Sequence, residues 1–287
     1  FNAVYSLQQL QNDFIQKLTD RYTLSEAKTL FFMLLKARKG WDSTYFFLHS
    51  QEPVSSELRD CLKSDILRLQ SGEPIQYLLK QVKFCNLKLK CDNRALIPRP
   101  ETEELCEWIQ KKIQSANCIL DIGTGSGCIA LALKQNYPQS IVQSCDISTD
   151  SLELAIENAK HVSLNVLFFE FDFLNCNNPL PLSTYDLIVS NPPYIPWIEK
   201  QDLADSVKDF EPERALFSTD PEGVLPYYKI LLLANEYLCS KGWVALELHP
   251  LNAIKIYSHY MKSSIFKHVE LLNDYSGNPR FIMAQRK

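Results

Sequence analysis

Apolar residues recur every three or four positions through the N-terminal part of the chain. Leu7, Leu10, Phe14 and Leu18 follow Ser6, and this spacing predicts an amphipathic helix capped by the serine. Thr23-Leu24-Ser25-Glu26 matches a capping box and leads into Ala27, Leu30, Phe31, Leu34 and Leu35. A third helical run, Leu58, Cys61, Leu62, Ile66 and Leu69, stops at Gly72. Residues 1 to about 75 therefore read as a small helical bundle, its stripes forming a core. The period then changes to two. Val82-Lys83-Phe84-Cys85-Asn86-Leu87-Lys88-Leu89-Lys90 alternates as a half-buried strand does, and Asp92-Asn93 is a turn signal, so a short hairpin is expected here. Ile97-Pro98-Arg99-Pro100-Glu101-Thr102-Glu103-Glu104 brings two prolines and an acidic first turn that open a helix. Short apolar runs at 118–122, 141–146, 166–170, 185–190, 243–248 and 280–285, with another near 266–272, alternate with helical patterns. That alternation predicts an α/β fold with a mostly parallel sheet covered on both faces.

Composition narrows the picture. A length of 287 residues suits one large domain plus a smaller one, and 46% hydrophobic with 22% charged residues makes a globular core. The formal net charge of −4 argues weakly against duplex nucleic acid as the main partner, although a local basic patch would escape that argument. The nine cysteines, Cys61, Cys85, Cys91, Cys106, Cys118, Cys128, Cys145, Cys176 and Cys239, are odd in number and include no C-x-x-C pair. They read as free thiols of a reducing cytoplasm, with no disulfide framework and no zinc site. The five histidines are scattered without metal-ligand spacing. No apolar run approaches the ~18 residues of a membrane span, and no signal-peptide pattern is visible.

Three of the eight glycines fall within five positions, in Cys118-Ile119-Leu120-Asp121-Ile122-Gly123-Thr124-Gly125-Ser126-Gly127. A glycine turn between a first strand and its helix is where α/β sheets bind nucleotides. The spacing is G-x-G-x-G rather than the dinucleotide G-x-G-x-x-G, and no Lys-Ser/Thr pair follows as in a P-loop. Such a turn suits a ligand without a pyrophosphate, such as S-adenosylmethionine, whose sulfonium also favours nearby carboxylates. The second strand ends at Asp146, placed to accept both ribose hydroxyls. After the next strand, Asp172 can accept from an adenine amino group while Phe173 covers the ring. Alone, Asp146 could be a strand-end acid and Phe173 a core aromatic; the order of the four elements favours the cofactor site.

Tyr185 to Ser190 reads as a buried strand that runs into Asn191-Pro192-Pro193-Tyr194. An Asn followed by two residues that donate no N–H offers two acceptors on a rigid frame, its side-chain oxygen and a backbone carbonyl. That pair suits a substrate carrying an –NH2 group. Taken alone, the four residues read equally well as a polar turn closing a strand.

With these segments in place the chain resembles the bacterial glutamine methyltransferases that modify class 1 peptide-chain release factors, the HemK/PrmC type. The likeness covers nearly the whole length. It is carried by Ser71-Gly72-Glu73-Pro74-Ile75-Gln76-Tyr77, Leu96-Ile97-Pro98-Arg99-Pro100-Glu101-Thr102-Glu103, the glycine turn through Ala130, Asn191 to Tyr194, and Phe210-Glu211-Pro212. The tetrapeptide and glycine turn occur in many amino-methyltransferases; their combination with the 71–77 and 96–103 segments is more specific. The resemblance implies a class I, Rossmann-like methyltransferase with a release-factor-binding helical domain over 1–78, a hairpin linker over 79–97 and a catalytic domain over 98–287. It implies S-adenosylmethionine beside Gly123, Thr124, Gly125, Ser126, Gly127, Asp146, Asp172, Phe173 and Asn191. It also implies that the glutamine of a Gly-Gly-Gln loop meets Asn191, Pro192, Pro193 and Tyr194. Asn191 Oδ1 and the Pro192 carbonyl would hold the amide hydrogens while Tyr194 packs on the amide plane. Whether Arg99 to Thr102 touch the cofactor or only cap a helix stays open. Lys80 and His249 stand where the family commonly has Gly, and Phe173 replaces a frequent Trp.

Other readings carry different expectations. A DNA or RNA adenine amino-methyltransferase would use the same tetrapeptide on a flat –NH2 base, but needs a basic groove, and no target-recognition domain is evident. A cofactor-binding adaptor would have no use for an intact tetrapeptide. A nicotinamide oxidoreductase fails on glycine spacing.

Overall fold

The computed structural model describes residues 5–175 and 179–287, so Cys176 lies outside the described residues. Two compact units form. One comprises the described residues up to Lys80 together with Asp205–Phe210, and the other Gln81–Ala204 with Glu211–Lys287.

The first unit holds α1 (Leu7–Leu18), α2 (Leu24–Lys39), α3 (Ser43–His49), α4 (Ser56–Gln70) and α5 (Ile75–Leu79). Ser6 and Thr23 both close capping boxes, with Gln9 and Glu26 as reciprocal partners. The three predicted stripes meet in one core that includes Phe14, Phe31, Leu34, Leu62 and Leu69. Helix α3 gives no periodic signal because it buries a single residue, Phe46; its start is set by Asp42, whose side chain accepts the Tyr45 N–H. Lys80 closes α5 at φ 53, a left-handed conformation that costs a lysine more than it would a glycine.

The second unit opens with β1 (Gln81–Phe84) and β2 (Leu87–Lys90), an antiparallel hairpin. Its turn falls at Cys85-Asn86, inside the alternating run, and not at Asp92-Asn93, which forms a separate turn closed by the Ala95 N–H on the Asp92 carbonyl at 3.4 Å. Both turn residues adopt positive φ, 45 and 66, which matches the twist of a two-residue hairpin; because Phe84 pairs with Leu87, the apolar positions shift phase from 82 and 84 to 87 and 89 across the turn. Asp92 instead binds the Arg94 guanidinium and backbone N–H.

There follow α6 (Pro100–Lys112), β3 (Cys118–Ile122), α7 (Cys128–Asn136), β4 (Ile141–Asp146), α8 (Thr149–Val162), β5 (Leu167–Glu170) and β6 (Tyr185–Ser190). After a 3₁₀ turn at Trp197–Asp202 and the short α9 (Asp205–Lys208) of the first unit come α10 (Glu213–Leu216), α11 (Leu225–Tyr237), β7 (Leu238–Glu247), α12 (Ala253–Lys262), β8 (Phe266–Asn273) and β9 (Pro279–Arg286). The sheet order is β5-β4-β3-β6-β7-β9-β8. β3 to β7 are parallel, and β9 and β8 add antiparallel pairs at one side. One apolar layer joins α6, α7 and the hairpin to the sheet, and a second joins α11 and α12 to its other face. β7 starts at Leu238 rather than at 243 because its pairing with β6 shifts register between Leu238 and Trp243, where exposed Lys241 at φ 64 interrupts the apolar run. Among the described residues, no helix is long and apolar enough to cross a membrane.

Candidate active site

The chain winds outward from β3 through β4 to β5, then returns to place β6 on the other side of β3. Such a reversal opens a crevice at the carboxyl ends of the two central strands. The register is explicit. Cys145, Ile122, Ser190 and Leu246 pair across four neighbouring strands. One residue further on stand Asp146, Gly123, Asn191 and Glu247. The Ser190 hydroxyl donates to the Ile122 carbonyl at 2.7 Å and pins the ends of β6 and β3 together. The glycine turn and the Asn-Pro-Pro-Tyr segment are thus side by side.

The turn is held from below. The N–H groups of Gly123 and Thr124 both donate to the Cys145 carbonyl at 2.9 Å, and Gly127 N–H donates to the Thr124 carbonyl. Asn158 on α8 clamps the far side: its Nδ2 donates to the Ser126 carbonyl at 2.9 Å, and its Oδ1 accepts the Lys90 N–H of the hairpin. Thr124 and Ser126 are buried within the turn. The glycines divide the work. A Cβ on Gly127 would come within 3.2 Å of Ala155 on α8, so this glycine lets two helices approach. A Cβ on Gly123 would meet no protein atom within 4 Å, and one on Gly125 only Ala95 at 3.8 Å. Backbone bordering open space, with φ of +76 and +53, is a cradle that S-adenosylmethionine fits.

The acids around the cradle are braced by backbone. Asp146 Oδ2 accepts the Gly125 N–H at 2.9 Å and Oδ1 the Ser148 N–H at 2.9 Å. Each carboxylate oxygen keeps a lone pair, which a ribose diol could use. Burial raises the Asp146 pKa against these N–H contacts. Asp121, fully buried under the turn, accepts from the Ser144 hydroxyl at 2.7 Å, and burial pushes its pKa up to about 6. Asp172 closes its own turn, accepting from the N–H groups of Leu174 and Asn175 at 3.0 and 3.2 Å and from Asn175 Nδ2. Phe173 is partly buried against the second apolar layer.

At the β6 end, Asn191 Nδ2 donates to the Thr102 hydroxyl at 3.2 Å, leaving Oδ1 as the available acceptor. Thr102 donates to Glu247 Oε2 at 2.7 Å, and the Tyr194 hydroxyl donates to Glu247 Oε1 at 3.3 Å. Burial keeps the Tyr194 phenol neutral, its pKa raised further by Glu247. Its ring lies 5.6 Å from that of His249, whose Nε2 faces Glu199 at 3.4 Å. Pro192 is buried beside it and Pro193 half-buried. The segments at 97–99 and 210–212 meet through Glu211, which accepts the Ile97 N–H at 3.0 Å and the Arg99 guanidinium at 2.6 Å. Neither Arg99 nor Thr102 makes a side-chain cap at the start of α6; both brace the site. Glu211 and Glu247 are contributors that the sequence reading did not single out, and Thr102 was raised only as a candidate cofactor contact or helix cap. The only local signal was their place in or beside segments already noted for other reasons.

The family model described as Methyltransferase small domain matches residues 100–207, and that described as PrmC N-terminal domain matches residues 9–79. A release factor glutamine methyltransferase of Bacteroides thetaiotaomicron is 34% identical over 94% of this chain and 97% of its own length. One of Lactococcus lactis subsp. lactis is 39% identical over 82% of this chain and 86% of its own. Among solved structures, a methyltransferase from Pyrococcus furiosus superposes with a TM-score of 0.51 at 20% identity, covering 70% of this chain and 89% of that one, a likeness of fold. The chain uses S-adenosylmethionine as cofactor, and it belongs to the release factor glutamine methyltransferase family.

Proposed function

We propose that this protein methylates the side-chain amide nitrogen of the glutamine in the Gly-Gly-Gln motif of class 1 peptide-chain release factors. Residues 1–78 would dock the release factor, 79–97 link, and 98–287 carry out the transfer. One observation carries the reading: Asn191 Nδ2 is committed to Thr102, which leaves its Oδ1 as the acceptor at a position beside the glycine turn, with the Pro192 carbonyl next along the chain.

A glutamine amide is a poor nucleophile because its nitrogen lone pair is delocalised into the carbonyl. Bound S-adenosylmethionine supplies an electrophilic methyl on a sulfonium. Gly123 to Gly127 would cradle it, Asp146 hold the ribose, Asp172 and Phe173 the adenine, and Asn191 border the methyl. Asn191 Oδ1 and the Pro192 carbonyl accept the two amide N–H groups, which fixes the nitrogen in line and stabilises positive charge as it grows. Pro193 keeps this frame rigid, and Tyr194 packs against the amide plane. The nitrogen becomes acidic only as it is alkylated, so no strong base is required beforehand. That fits a tetrapeptide without His or Asp.

Incubation of the protein with S-adenosylmethionine and a release factor, followed by mass spectrometry, should show one added methyl on the Gly-Gly-Gln glutamine. Parallel incubations with DNA and RNA should show none. Methyl on adenine with an unmodified release factor would replace this reading with the nucleic-acid one.

A further inference from the structure

Glu247 has no part in the roles above, yet the hydrogen bonds around Asn191 and Tyr194 converge on it. It is 1% exposed, at the end of β7, and its carboxylate takes the Thr102 hydroxyl on one oxygen and the Tyr194 hydroxyl on the other. Thr102, 2% exposed on α6, in turn accepts from Asn191 Nδ2. We propose that Glu247, acting through Thr102, is a positioning residue for methyl transfer that decides which end of the Asn191 carboxamide the substrate meets. The inference rests on the glutamine reading above.

The argument is one of proton counting. An ionised carboxylate only accepts, and a threonine hydroxyl has one proton to give. With Glu247 ionised, Thr102 donates that proton to Oε2 and has only lone pairs left for Asn191. Asn191 must then present Nδ2 to Thr102 and Oδ1 to the substrate. The usual ambiguity of a carboxamide's orientation is removed by the chain of donors. With Glu247 protonated, the direction can reverse. Its O–H donates to Thr102, Thr102 donates to Asn191 Oδ1, and the substrate meets an NH2 group that cannot accept an amide hydrogen.

The surroundings poise this reversal near neutrality. Burial pushes the Glu247 pKa up to about 7, while the Thr102 hydroxyl, the Arg280 guanidinium of β9 and the Tyr194 hydroxyl pull it down and Glu101 of α6 pushes it up. Tyr227 of α11 donates to the Glu247 backbone carbonyl at 3.1 Å and adds no charge. His249, two residues on, is held towards its neutral form by burial. A carboxylate kept only for packing would cost more than an apolar side chain of the same shape.

The test uses the full chain with a release factor and S-adenosylmethionine, with kcat and KM measured from about pH 6 to about pH 9. Wild-type kcat should fall on the acid side. Glu247→Gln should lose roughly 10–100-fold in kcat and the acid limb with it, while cofactor binding by calorimetry stays within about threefold. Thr102→Val should lose as much, and Thr102→Ser should recover to within about threefold of wild type. If Thr102→Val turned over like Thr102→Ser, or Glu247→Gln kept the acid limb, the inference would be overturned. Should Glu247→Gln not fold, the Thr102 pair decides. A substrate-free arm follows the ¹⁵N side-chain signal of Asn191 across the same pH range. It should move in the wild type and stay fixed in Glu247→Gln or, failing that, in Thr102→Val; a signal that never moves overturns the inference. A moving signal in an enzyme inactive on release factors would overturn the substrate reading and leave the positioning role standing.

Discussion

Asn191 can offer an acceptor to an amide because its own nitrogen is already engaged by Thr102. Replacing it by alanine removes that acceptor and leaves the glycine turn untouched. Asn191→Ala should therefore lose on the order of 10²–10³ in kcat, with cofactor affinity by calorimetry near wild type. Turnover at the wild-type rate would remove Asn191 from the chemistry. Asp121 gives a different prediction. Its pKa rises on folding from 3.8 to about 6, so between those values the native state keeps a proton that the unfolded chain has lost. Native stability contributed by this group is complete below about pH 4 and declines as pH rises towards 6, by about 3 kcal/mol at most. Asp121→Asn should flatten that decline. Thermal melts of the two proteins should diverge from pH 4 to pH 7, with the variant gaining on the wild type; parallel curves would contradict the assignment.

At the scale of elements, the site is a consequence of strand order. The glycine turn ends β3, the Asn-Pro-Pro-Tyr segment ends β6, and only their adjacency in the sheet joins them. The alternation of strands and helices was legible in the sequence because buried parallel strands are short apolar runs and their helices carry a 3.6-residue stripe. The pairing order was not written in any local pattern. Nor was the Thr102–Glu247 hydrogen bond, whose partners lie 145 residues apart. The turn at Cys85-Asn86 was legible only as a change of phase, the apolar positions moving from 82 and 84 to 87 and 89, and α3 was missed because one buried side chain makes no stripe. The glycine spacing, by contrast, could be read directly. Gly125 sits at φ +53 with only Ala95 near its missing Cβ, so Gly125→Val would strain the turn and fill the cradle. Cofactor binding by calorimetry should fall below detection while the fold, followed by circular dichroism, persists. Unchanged binding would place the cofactor elsewhere.

For the molecule as a whole, the helical unit closes a core of its own, and the second unit contains every residue assigned to the transfer. The helical bundle was evident from its periodicity and caps, but the grouping of Asp205–Phe210 with it depends on long-range packing that no window of sequence displays. The account stands on one juxtaposition: a reactive sulfur held by the turn after β3 and an amide held by the segment after β6. A crystal structure with S-adenosylhomocysteine tests it most directly. The sulfur should point at Asn191 Oδ1, near enough that a nitrogen held there would lie about 3–3.5 Å from a methyl on that sulfur. A sulfur turned away from Asn191, or a product bound away from Gly123 to Gly127, would contradict it.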